Sequence, residues 1–152
     1  MRWLPGLLIV LIIVPVAGCS QTRPQKEPPI VTAVIQNDVT VVRQYLAEGG
    51  DPDYVTSEGD PLIYLATGAR GGLAVTEALI VAGANLSAVN ADGRPPLHNA
   101  AGWCNVAIVD MLIRAGASLT QTGKGGESLE DSVCARPPDR RQEVLDMIAK
   151  AR

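Results

Sequence analysis

Phenylalanine is absent, and two tryptophans and three tyrosines are the only aromatics among 152 residues. A core built without them is aliphatic, drawn from Ala, Val, Leu and Ile. That composition disfavours a β-sandwich, whose strands use aromatic and β-branched residues, and suits small, closely packed helices. Histidine is scarcer still, since His98 is the only one. Any Ser-His-Asp or Cys-His site would have to use it. One histidine and the few cysteines do not supply a zinc site by spacing, so no metal and no cofactor is expected. Excess positive charge is also missing: 13 Lys and Arg face 16 Asp and Glu, a net charge of −3. That excludes a global basic field for nucleic acid. The phosphate-loop pattern G-x-x-x-x-G-K-[ST] does not occur. Gly123-Lys124-Gly125-Gly126 is glycine-rich without matching it and reads as a turn. Nor is the leading apolar run, Leu7 to Val14, long enough to span a bilayer, which takes about 20 residues.

That short run does belong to a pattern. Arg2 gives a positive start, Leu7 to Val14 the apolar middle, and Val16-Ala17-Gly18 small residues before Cys19. This is the three-part layout of a secretory signal. Val16-Ala17-Gly18-Cys19 resembles the lipobox of bacterial lipoproteins. The resemblance implies that residues 1–18 are a signal peptide removed by cleavage and that Cys19 carries palmitate-type acyl chains. Two or more chains would hold the protein stably on a lipid bilayer. Ser20, rather than Asp, after the cysteine implies the outer membrane, facing the periplasm. The alternative is an ordinary cleaved signal in which Cys19 is incidental. Residues 19–29 then read as a lipidated cysteine and a polar, proline-rich tether.

What remains, about 134 residues, is one domain's worth. Its charge is uneven. Residues 30–66 hold Asp38, Glu48, Asp51, Asp53, Glu58 and Asp60 against Arg43 alone, whereas residues 67–152 are balanced. The acidic end either meets a basic partner or is a set of solvated loop tips. Asp51 and Asp53 read as a hydrated turn. Cys104 and Cys134 either form a disulfide, which an oxidising compartment permits, or stay as a buried thiol pair.

The chain repeats itself, which decides the architecture. Pro28-Pro29-Ile30-Val31-Thr32-Ala33-Val34 corresponds to Pro95-Pro96-Leu97-His98-Asn99-Ala100-Ala101, 67 residues on. Asp60-Pro61-Leu62-Ile63-Tyr64-Leu65-Ala66 is the middle copy. Gly49, Gly83 and Gly116 close matching segments at spacings of 34 and 33. Pro96 suits a first helical turn, where its missing N–H costs nothing. Val106, Val109, Leu112 and Ile113 follow helical spacing, and Gly116 supplies the helix stop. Asp92-Gly93 tips a turn. The fourth copy is degenerate: Gly125-Gly126-Glu127-Ser128-Leu129 replaces the proline opening, as a polar terminal cap would. Extra residues sit near Ala69–Gly72 and Arg136–Asp139.

The period, the Pro-Leu-His-x-Ala-Ala opening and the Leu-Ile-x-x-Gly-Ala close resemble the ankyrin repeat. The resemblance implies an all-α solenoid of about four helix-turn-helix units with short hairpin loops, over residues 30–152, with units near 28–55, 56–89, 90–122 and 123–152. It gives His98 a structural role, tying neighbouring hairpins by hydrogen bonds, and implies no enzyme and no small-molecule substrate. Family members bind proteins through hairpin tips and the concave face. Mapped here, those positions are Ser57, Glu58, Asp60, Tyr64, Thr67 and Arg70 in one unit, and Ala91, Asp92, Arg94, Gly102 and Trp103 in the next; Tyr54 is a lesser candidate. Trp103 beside Arg94 would form a hot spot, unless the indole folds down as packing. Lipid-anchored ankyrin proteins of this size resemble immunity proteins that neutralise a toxin delivered between bacteria. A structural scaffold and a stress-defence accessory protein at the envelope are the alternatives.

Overall fold

The computed structural model describes residues 27–152, so the expected signal peptide, the expected acylation point Cys19 and most of the stretch read as a tether lie outside the described residues. Among the described residues eight α-helices follow one another in four successive pairs: α1 (Pro29–Ile35) and α2 (Val39–Ala47), α3 (Leu62–Ala66) and α4 (Leu73–Val81), α5 (Pro96–Gly102) and α6 (Val106–Arg114), and α7 (Leu129–Ser132) and α8 (Pro138–Ala151). The first helix of each pair packs on the first helix of the next, and the second on the second. Among the described residues the only strand-like pairing is the bridge between Val55 and Pro61. No helix there is long and apolar enough to cross a membrane. The result is an all-α solenoid.

Local chemistry accounts for the boundaries. Prolines in the first turn open α1, α5 and α8, where no N–H is needed. Asp38 and Asn105 cap α2 and α6 by accepting backbone N–H groups through their side chains, satisfying donors that a helix start leaves orphaned. Beyond α2, α4 and α6 the chain turns through Gly49, Gly83 and Gly116 at φ of 85, 87 and 89°, where a Cβ would be strained. The fourth unit lacks an opening proline and uses a different device. Ser128 and Asp131 form a reciprocal capping box at the start of α7, so the N-terminus of that short turn is fixed without one.

Small residues let the layers approach. Ala66, Ala100 and Ala101 are fully buried, as are Leu62, Ile63, Leu79, Ile108 and Leu112. One apolar cluster joins the first two units and another the last two, with Ile80 and Leu86 touching both. Each large aliphatic side chain so buried contributes about 1.5–3 kcal/mol.

Buried polar groups cross the interfaces and are satisfied there. Asn99 donates from Nδ2 to the Tyr64 carbonyl at 3.1 Å and to Thr67 Oγ1 at 3.2 Å. Thr67 is therefore a buried acceptor rather than the surface position the family mapping assigned to it. His98, also fully buried, reaches the next hairpin: Nε2 donates to the Gln121 carbonyl at 2.8 Å, and Nδ1 is hydrogen-bonded to Ser132 Oγ at 2.7 Å. The folded body reaches back to Glu27, inside the stretch 19–29 read as a tether. Its carboxylate accepts from Ser57 N at 2.7 Å, from the Ser57 hydroxyl and from Tyr54 OH at 3.1 Å.

Candidate protein-binding surfaces

Three hairpin tips line one edge of the stack. They are closed by Thr56 N to the Asp60 carbonyl, Asn90 N to the Arg94 carbonyl and Gly123 N to the Glu127 carbonyl, at 3.0, 3.1 and 2.8 Å. Asn90 Oδ1 also accepts from Asp92 N and Arg94 N, which stiffens the second tip. The Lys124–Gly126 segment forms a 3-10 turn within the third. An exposed Ala91 packs against Gly59, whose Cβ would lie 3.0 Å from the Ala91 Cβ.

The second and third tips are held to each other by charge. Lys124 Nζ meets Asp92 Oδ1 at 2.6 Å, and Arg94 meets Glu127 at 3.5 Å. The Lys124 hydrogen bond, with its positive charge, keeps the Asp92 carboxyl below its ordinary range. At the other end of the row, Ser57 holds Glu27 below its usual value, chiefly through its hydroxyl. Burial, reinforced by Glu27, pushes the Tyr54 hydroxyl up. Tyr64 is half-buried and its hydroxyl is likewise raised by burial, with the charges of Arg94, Asp60 and Asp92 all reaching it. Asp60, Tyr64, Asp92 and Arg94 thus share one patch, flanked by the exposed Ser57 and Glu58. Glu27, Lys124 and Glu127 belong to this edge and were missed from sequence. Carrying the hairpin period forward from Asp92 and Arg94 would have placed Lys124 and Glu127 opposite them.

The remaining candidates lie elsewhere. Trp103 stands at the far end of α5 from Arg94, with the seven-residue helix between them. Such a helix is about 10 Å long. The expected Trp103–Arg94 pair is therefore not formed: Arg94 faces Glu127, and Trp103 lines a cleft with Ala69, Asn105, Val106, Arg140 and Glu143. Arg70 is exposed in the loop at that edge, its carbonyl accepting from Asn37 Nδ2. Gly102 is not free surface either. A Cβ there would lie 3.3 Å from the Ser132 carbonyl, so it permits α5 to approach α7. Cys104 and Cys134 are joined as a disulfide, with Cα atoms 5.6 Å apart. His98 is committed to two structural partners, and no group of three or more metal-ligating side chains occurs among the described residues.

Residues 20–123 match the family described as Ankyrin repeats (3 copies). The chain belongs to the ankyrin-repeat family. The match stops before α7, yet the fourth helix pair of this ankyrin array continues the same packing, α7 on α5 and α8 on α6. Among curated proteins, the RelA-associated inhibitor of Mus musculus is 32% identical over 94 residues, covering 61% of this chain and 11% of that protein. The chain thus corresponds to only about a tenth of that relative's length. The ankyrin array makes this chain a protein-binding module, presenting a hairpin edge and an inner-helix face for that purpose.

Proposed function

We propose that this ankyrin array is a lipoprotein of the bacterial cell envelope that neutralises a basic toxin through its hairpin edge. The observation that carries the reading is the patch around Tyr64. There the charges of Arg94, Asp60 and Asp92 all reach a half-buried aromatic, and Glu58 adds a further exposed carboxylate on the same tip as Asp60. The only base among residues 27–66, Arg43, lies on the outer helix α2. A cationic side chain approaching Tyr64 gains from both the ring face and the carboxylates of Asp60 and Glu58, unpaired among the described residues, and the edge, net acidic despite Arg94 and Lys124, speeds association with a positively charged surface. Anchoring rests on the sequence of residues 1–19. Cys19 is the acylation point, and the short tether keeps the array at the bilayer.

A strain lacking the gene, grown on a surface in mixed culture with its parent, tests this. The immunity reading expects the deletion strain to be killed by its parent. Restored wild-type protein rescues it, while Asp60→Lys with Glu58→Lys does not. Equal survival of deletion strain and parent would refute the reading and leave scaffold or stress-defence roles. Cys19→Ser should move the protein from the membrane fraction to the soluble one.

A further inference from the structure

Trp103 is 57% exposed, although burying an indole is among the most favourable things a folded chain does with it. It stands in a cleft of about 440 Å3 at the edge opposite the hairpins. The walls come from three units: Ala69 from the α3–α4 loop, Asn105 and Val106 from the start of α6, and Arg140 and Glu143 from the first turns of α8. Cys104 also lines the cleft, and its disulfide to Cys134 fixes the third unit against the fourth there. The aromatic is thus displayed on a braced platform.

The charge of this edge is opposite to that of the hairpin edge. Arg70 follows Ala69 in the same loop, and Arg136 lies between Cys134 and Arg140. None of Arg70, Arg136 and Arg140 is in an ion pair among the described residues. Arg140 and Glu143 line the cleft itself; with Arg70, Arg136 and Asp139, which stand within two residues of lining or disulfide positions, this edge holds three bases against two acids, while the rest of residues 27–152 carries fourteen acids against seven bases. Tryptophan and arginine are also the types most enriched where binding energy concentrates.

We infer that this cleft is a second docking surface, and that it takes an extended acidic segment of a partner protein. An apolar side chain of the segment lies on the Trp103 ring while a neighbouring carboxylate meets Arg140. The acidic hairpin edge cannot serve the same segment, because its carboxylates repel it. The two surfaces therefore recognise different chemistries, and one can be lost without the other.

The test uses the full chain carrying Trp3→Phe, in neutral detergent micelles, so that Trp103 is the sole indole. The probes are end-blocked peptides, Glu-Glu-Leu-Glu-Glu and its charge-reversed counterpart Lys-Lys-Leu-Lys-Lys. The acidic peptide should change Trp103 emission saturably, and the basic one should not. Arg140→Glu should weaken the response about five- to tenfold, as reversal of one screened contact does. Asp60→Lys on the other edge should leave it unchanged. Arg140→Gln, a milder change, serves if the reversal disturbs the circular dichroism spectrum. The inference falls if the acidic peptide gives no saturable change, if both peptides act alike, or if Arg140 variants respond as the parent does. A shift produced by anionic lipid in the micelles and by neither peptide would assign the edge to a membrane surface and overturn it equally.

Discussion

Reducing the disulfide should loosen one end of the molecule and leave the other standing. Cys104 and Cys134 are 30 residues apart in sequence. By the chain-entropy relation, releasing a loop of that size returns about 12 cal/mol/K to the unfolded chain, or about 3.6 kcal/mol at 25 °C. With an unfolding entropy of about 2.1 cal/mol/K per residue over the folded body, the melting temperature should drop by about 14 °C. The loss should also be local. The fourth unit packs mainly on the third, through α5 on α7 and α6 on α8. Cys104→Ala with Cys134→Ser preserves the small buried volume at position 104, where the side chain is nearly inaccessible, and isolates the covalent term. Urea unfolding of parent and variant, each with and without reductant, gives the magnitude. Hydrogen exchange gives the place. The parent should lose about 3–4 kcal/mol on reduction, the variant nothing. Amides of α8 should lose protection first, before those of α3 and α4. A reductive loss under about 1 kcal/mol, or exchange rising equally in all four units, would refute the argument.

Three further outcomes follow from the buried and clamped groups. His98→Ala removes the partner of the Gln121 carbonyl and one of the two partners of the Ser132 hydroxyl, and leaves a cavity at a fully buried position; it should cost about 2–4 kcal/mol in urea unfolding without abolishing the helical spectrum. Ile108→Ala, at a fully buried position of the third unit, should cost about 2–5 kcal/mol by the same measurement. Glu27 titrates below its ordinary value in the folded protein because the charged form accepts from Ser57 and Tyr54. Its clamp on the first hairpin is therefore complete above the unfolded value of 4.5 and is lost as pH falls through the lowered one. The Ser57 amide resonance should report that transition in the parent and not in Glu27→Gln.

The repeat architecture was legible because its signals are local and recur. Paired prolines sit at the openings of α1 and α5, and glycines adopt positive φ after three outer helices. The features that escaped notice depend on contacts between units. Trp103 looked close to Arg94 in linear sequence, but an intervening helix sends them to opposite edges. Thr67 looked like a rim residue because the reading carried no partner for it, and that partner, Asn99, is 32 residues away. Glu27 sat in a proline-rich stretch that reads as linker, and only the hairpin it grips gives it a role. The start of α7 differs in kind: Ser128-x-x-Asp131 is a local capping pattern, legible in sequence, that stands where other units open on proline.

The bonds between units share a single reach. Asn37 to Arg70, Asp53 to Asn85, Asn99 to Tyr64, Gln121 to Ser87 and His98 to Ser132 span 33, 32, 35, 34 and 34 residues. Each joins a unit to its immediate neighbour, and none of them skips one. A stretch of coding sequence about 33 codons long is therefore a self-contained part. Duplicating or deleting it in frame changes the length of the binding edge without asking any distant residue to change with it. Selection can then lengthen or re-face such an array one cassette at a time, as fast as a partner alters its own surface.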